Sequence, residues 1–242
     1  MKYTGITVIT FILLQFIVVV MHEFAHSTAA WALGFMRSPC DIIWGNPLML
    51  TGWDEGVDYS GLFSSGHFLA AAFIGGIPLA VHTVIVILGL ILLQMKGIWN
   101  RKWLFHLLYW FVIANYMELI AYVTMRAFAR HGDVGIFNRG LGLSPWIVFI
   151  TGSFAVAGGL YVLFVKILPR MYVLFGEGNR LNQWMILLLT CFLLFIWGSG
   201  LRVVLYCYPD PQWMFGLLGF AAFGAVITAC RHQGERSLDA VA

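Results

Sequence analysis

The sequence predicts an all-α polytopic membrane protein with about six transmembrane helices and a re-entrant, hairpin-like loop after the first. Three observations carry this. Of the 242 residues, 61% are hydrophobic and 10% charged, with a mean hydropathy of +0.86, a balance foreign to soluble globular domains. A span takes about 20 mostly apolar residues, and such runs recur at roughly 6–34, 66–94, 103–129, 145–168, 184–206 and 212–230. One long polar interruption, residues 35–65, separates the first two runs.

The first run is too long for a signal peptide and no small-residue cleavage pattern follows it, so it reads as a retained helix. It contains His22-Glu23-Phe24-Ala25-His26. The interruption that follows holds Asp41-Ile42-Ile43-Trp44-Gly45-Asn46-Pro47 and Gly52-Trp53-Asp54-Glu55-Gly56-Val57-Asp58-Tyr59. Its turn residues with apolar residues between them suit either a short hairpin dipping into the membrane or a solvated acidic loop. His67, His82 and His106, at or inside the ends of the second and third runs, read as interhelical hydrogen-bonding or interface groups. Trp99, Trp103, Tyr109 and Trp110 fit aromatic belts, and Arg126 and Arg130 fit snorkelling cations. The third run carries Asn115 and Glu118, and His131-Gly132-Asp133-Val134-Gly135 stands at its far end. The last three runs hold few ionisable groups beyond Arg202. The chain therefore divides into a three-helix core with the chemistry, residues 1–143, and three further helices with a short polar tail, residues 144–242.

On a helix, positions i and i+4 share a face, so His22 and His26 can offer two imidazole nitrogens to one Zn²⁺, with Glu23 beside them as a general base. Each ionisable group at mid-membrane costs roughly 2.5–3.5 kcal/mol on insertion scales. Such a cluster needs a compensating partner, and a metal ion is the natural one. A catalytic zinc also needs a third protein ligand and an open position for water. Glu118 and Asp133 are the candidates. At 1.5 Å per residue, His22 lies about 22 Å along its run from Thr7 and Glu118 about 22 Å from Trp103, whereas Asp133 on an unbroken helix would lie about 45 Å along. That count favours Glu118.

The H-E-x-x-H at 22–26, with Asn115 upstream of Gly132-Asp133-Val134-Gly135-Ile136, resembles the site-2 protease family of intramembrane zinc metalloproteases. The resemblance covers about residues 6–145. It implies zinc held by His22, His26 and Asp133, with Glu23 as general base, hydrolysing peptide bonds in or near transmembrane segments of a membrane-embedded protein substrate. It also implies that Asn115 positions the scissile carbonyl. Asp133 can reach the histidines if the helix unwinds near 126–132 and folds back, irregular backbone that a polar site tolerates. Glu118 would then support a zinc-bound histidine. An edge strand from 41–59 could hold an unwound substrate by strand addition.

The four cysteines show no C-x-x-C spacing and carry no metal or redox signal. The net charge of +3 forms no run that would suit nucleic acid. On six spans, Lys2, Lys96, Arg101, Lys102, Lys166, Arg170, Arg180, Arg231 and Arg236 fall to one side and Arg37, Arg126, Arg130, Arg139 and Arg202 to the other. The positive-inside rule then places both termini in the cytoplasm and the motif toward the exterior, whereas the resemblance implies a site open to the cytoplasm. The alternative function is transport of a divalent metal or proton through the buried His/Glu/Asp set, or a noncatalytic role.

Overall fold

The computed structural model describes residues 2–46, 52–176 and 178–230. The tip of the expected hairpin at 47–51 and the polar tail at 231–242 lie outside the described residues. In chain order the α-helices are α1 (Lys2–Ala32), α2 (Tyr59–Ser64), α3 (Phe68–Leu92), α4 (Lys96–Trp99), α5 (Lys102–Leu119), α6 (Gly132–Leu141), α7 (Pro145–Tyr161), α8 (Leu168–Phe175), α9 (Arg180–Cys191), α10 (Arg202–Cys207) and α11 (Leu217–Cys230). Wide π-helical turns continue α5 through Ile120–Met125, join α7 to α8 through Val162–Ile167, and join α9 to α10 through Phe192–Leu201. Six continuous helical stretches, 3–32, 68–92, 102–125, 145–175, 180–205 and 211–230, are long and apolar enough to cross a membrane. The protein is an all-α polytopic membrane protein.

The fourth crossing runs on to Phe175, past the expected end near 168, even though Lys166 and Arg170 lie within it. Local partners hold Arg170 there. Its Nη1 donates to the Leu93 carbonyl at 3.1 Å and its guanidinium lies 3.4 Å over the Trp99 ring. The aromatic-belt expectation fails for Tyr109 and Trp110, which are fully buried. They lie on α5, the central helix, where Tyr109 Oη pairs with Thr190 Oγ1 of α9 at 2.8 Å and Trp110 packs edge-on against Phe11 of α1. A belt needs residues on the lipid face, and α5 is enclosed by neighbours along most of its length.

The third crossing is broken, which positions the site. After the π-helical turn at Ile120–Met125 the chain leaves the helix at 126–131 and resumes as α6. Gly132 makes the turn with φ of 76°, a conformation that disfavours any side chain. A Cβ there would also meet the Arg126 guanidinium at 2.6 Å. α6 then runs antiparallel to α3, with Ile136 and Phe137 over Gly75 and Gly76, and Gly140 against Phe68 and Ala72. A Cβ on Gly140 would stand 2.4 Å from the Phe68 carbonyl oxygen, so these glycines set how closely the two helices approach. The 45 Å count for Asp133 assumed an unbroken helix. With the sidestep, Asp133 stays at the level of Gly75.

The expected hairpin is reduced, among the described residues, to one antiparallel bridge between Ile43 and Asp54, closed by N–H···O bonds of 2.8 and 3.2 Å. Trp53 beside the bridge packs edge-on against Phe16 with ring centroids 5.9 Å apart. Phe16 lies six residues before His22, about 9 Å along the helix, so the loop dips beside α1. The Ser27 hydroxyl donates to the Pro39 carbonyl at 2.8 Å and fastens the start of the loop to the same helix.

Candidate metal centre

α1 carries His22 and His26 one turn apart, and the fold-back at Gly132 brings Asp133 to them. His22 Nε2 stands 2.9 Å from Asp133 Oδ2, His26 Nε2 stands 3.5 Å from Asp133 Oδ1, and the two Nε2 atoms are 3.3 Å apart. One ligand atom from each of these three buried residues lies within 4.8 Å of the others, so the group could hold a metal ion. Asp133 Oδ2 is buried and, for all its closeness to His22, makes no hydrogen bond. An oxygen left this way among two imidazole nitrogens is what a cation between them would satisfy, and two nitrogens with a carboxylate form a donor set that suits divalent metals such as zinc or iron(II).

The Nε2 atoms converge because the opposite edges of both rings are occupied by α3. His22 Nδ1 lies 3.0 Å from His82 Nε2, His82 Nδ1 lies 2.8 Å from Asn115 Oδ1, and Asn115 Nδ2 donates to the Phe111 carbonyl at 2.8 Å. With both imidazoles neutral, one assignment of protons satisfies this chain, because the Asn115 amide fixes its direction. Asn115 Oδ1 accepts from His82 Nδ1–H, His82 Nε2 accepts from His22 Nδ1–H, and the His22 Nε2 lone pair is left to the centre. His26 Nδ1 donates to the Ile74 carbonyl at 2.7 Å. That carbonyl is open because Pro78, four residues on within α3, has no N–H to return to it.

Glu23 is buried and lines a cavity of about 260 Å³ together with the three converging residues. The loop closes one wall with Trp53, Asp54, Glu55 and Tyr59, and Tyr122, Arg126 and Arg202 form the other. Tyr59 Oη lies 3.4 Å from His26 Nδ1, and burial, reinforced by Glu55, pushes its phenol above the ordinary range. Of the loop acids, Asp58 caps α2 through Gly61 N–H at 2.9 Å and Asp54 accepts from Gly56 N–H at 2.6 Å, while both Asp54 and Glu55 face the cavity.

The other predicted site residues separate. Glu118 lies in the same bundle, but its carboxylate takes Arg202 Nη1 at 2.5 Å and Gln15 Nε2 at 3.2 Å. The support expected of Glu118 toward a histidine is given instead by His82. Asn115 reaches the centre only through His82. Arg126 does not snorkel: it is buried, 4.8 Å over the Tyr122 ring, whose face stacks on His22 at 5.5 Å. Sequence reading assigned His82 to interhelical hydrogen bonding without its partners, and it missed Pro78. A proline inside an apolar run marks the carbonyl four residues earlier as open to a side chain, and that was the available signal. Comparison with family models, curated proteins and solved structures finds no match for the chain.

Proposed function

We propose that this protein is an intramembrane zinc metalloprotease of the site-2 protease type, cleaving peptide bonds in or near transmembrane segments of a membrane-embedded substrate protein. The observation that carries the reading is the convergence of His22, His26 and Asp133 in a cavity that Glu23 also lines. A zinc ion in that group would supply Lewis acidity toward a water and a peptide carbonyl. Glu23, buried one residue from His22, takes the proton from the attacking water and returns it to the leaving amine. A cavity of about 260 Å³ is smaller than a single turn of a helix about 10–12 Å across, so a substrate segment would unwind before it enters. The segment around the Ile43–Asp54 bridge would hold such a strand by backbone hydrogen bonding. By its charge distribution the protein has its termini in the cytoplasm.

Metal transport needs further ligands leading to the opposite face. Among the described residues, one group has metal-binding geometry, and Glu118 is committed to Arg202, which favours a one-sided hydrolytic centre. The test is zinc content of detergent-purified protein, wild type against Asp133→Ala, Glu118→Ala and Glu23→Gln. The reading expects about one zinc per chain in wild type, Glu118→Ala and Glu23→Gln, and loss in Asp133→Ala. It further expects that membrane proteins accumulate uncleaved in cells carrying Glu23→Gln. Zinc retained in Asp133→Ala, or an unchanged membrane proteome with Glu23→Gln, overturns it.

A further inference from the structure

We propose that α3 is the positioning element of the metal centre: His82 and Pro78 set the tautomer and orientation of the two histidines so that both Nε2 atoms face the metal. The proposal rests on the reading of His22, His26 and Asp133 as metal ligands and adds two residues that touch neither metal nor substrate.

A neutral imidazole carries one proton, and a histidine binds through a given nitrogen only when that nitrogen is unprotonated. His22 and His26 therefore both need the proton on Nδ1. Each Nδ1 meets an acceptor on the same helix, and the two acceptors arise differently. For His22 the acceptor is the His82 Nε2 lone pair, available because Asn115 Oδ1 draws the His82 proton to Nδ1. For His26 it is the Ile74 carbonyl. In an unbroken helix the N–H of residue 78 would occupy that carbonyl, and proline at 78 leaves it open. His82 and Asn115 are fully buried, so no water competes for the relay. His82 follows Pro78 by one helical turn, so both contacts come from one face of α3 and its rotation sets both rings together.

The test is cobalt(II) and zinc titration of the detergent-purified full chain, with the cobalt d–d absorption bands as a readout of ligand geometry. His82→Leu removes the acceptor, and affinity should fall about 10- to 100-fold, the range for loss of a hydrogen-bonding support to a ligand, with shifted cobalt bands. His82→Gln, whose amide oxygen can accept from His22, should recover most of the affinity and the wild-type bands. Asn115→Leu should weaken binding in the same direction, and adding it to His82→Leu should cost nothing further, because Asn115 acts through His82. Pro78→Ala restores a backbone N–H to Ile74 in a residue that favours helix. It should weaken binding about 10-fold in a protein at least as stable as wild type, an outcome that loss of fold cannot produce. His82→Leu and Pro78→Ala with wild-type affinity and bands overturn the proposal while leaving the metal centre standing. Wild type that binds neither metal removes the centre itself, and the proposal with it. If His82→Leu does not fold, Pro78→Ala and Asn115→Leu decide.

Discussion

The two halves of the molecule use buried polar groups differently. In residues 2–141 those groups turn toward one another: His22, His26, His82, Asn115 and Asp133 form one connected set. In residues 145–230 several turn outward, and their partners lie on the third crossing. Thr190 meets Tyr109, the Val156 carbonyl accepts from Tyr116, Arg202 pairs with Glu118, and Gln212 Nε2 donates to the Met125 carbonyl at 2.5 Å. The first half holds the candidate metal centre, and the second grips the helix that must break to deliver Asp133. Met125 is the last residue before that break. Its carbonyl has lost the helical donor that would lie four residues on, and Gln212 replaces it.

The largest effect expected from testing this division is at the buried ion pair. Glu118 is 2% exposed, and Glu118→Leu removes the carboxylate that Arg202 Nη1 meets inside the bundle. Breaking a buried pair on one side costs about 3–5 kcal/mol. Chemical unfolding in detergent should show that loss, and Arg202→Leu in the same chain should restore much of it, because both charges are then gone. If Glu118→Leu has wild-type stability, the second half is not gripping the third crossing through this pair.

That pair also marks the limit of the sequence reading. Period and composition made the six crossings legible, and the i, i+4 rule placed His22 and His26 on one face. Depth counting set Glu118 level with His22, but it could not say which neighbour its carboxylate would meet. Arg202 is 84 residues away, and no local pattern links the two. Asp133 stood as a candidate at the end of the run, but only the motif resemblance chose it over Glu118, because the count treated the third crossing as one rod. Gly132 and the close-packing Gly75, Gly76 and Gly140 are what end that rod and dock its continuation on α3. The support for His22 was sought in a carboxylate and is an imidazole, since His82 and Asn115 meet only when α1, α3 and α5 pack.

A smaller effect is expected at the break itself. Gln212→Leu removes the donor to the Met125 carbonyl, and a buried acceptor left unpaired costs about 1–3 kcal/mol. Because this carbonyl lies at the start of the turn that carries Asp133, zinc affinity should fall along with stability. In Glu118→Ala, by contrast, stability should fall and zinc should stay. If Gln212→Leu loses stability but keeps wild-type zinc affinity, the second half is a general scaffold and not a support for the broken crossing.

The smallest perturbation asks which half opens to water, and on which side of the membrane. Cys40, in the loop that follows α1, is exposed, whereas Cys191, Cys207 and Cys230 are buried in the second half. A membrane-impermeant maleimide applied to intact cells should therefore label one cysteine per chain, abolished by Cys40→Ser, without changing stability. Ser27 and Pro39 hold this loop to α1 one residue past His26, so Cys40 reports the face on which the metal cavity lies. The positive-inside rule, applied to the Lys and Arg on the opposite connections, expects that face outside the cell, and labelling from outside is the result it predicts. Labelling only after the membrane is opened would put the cavity on the cytoplasmic face. Labelling at Cys191 or Cys207 would break the comparison itself, because the second half would then be open to water where its packing says it is closed.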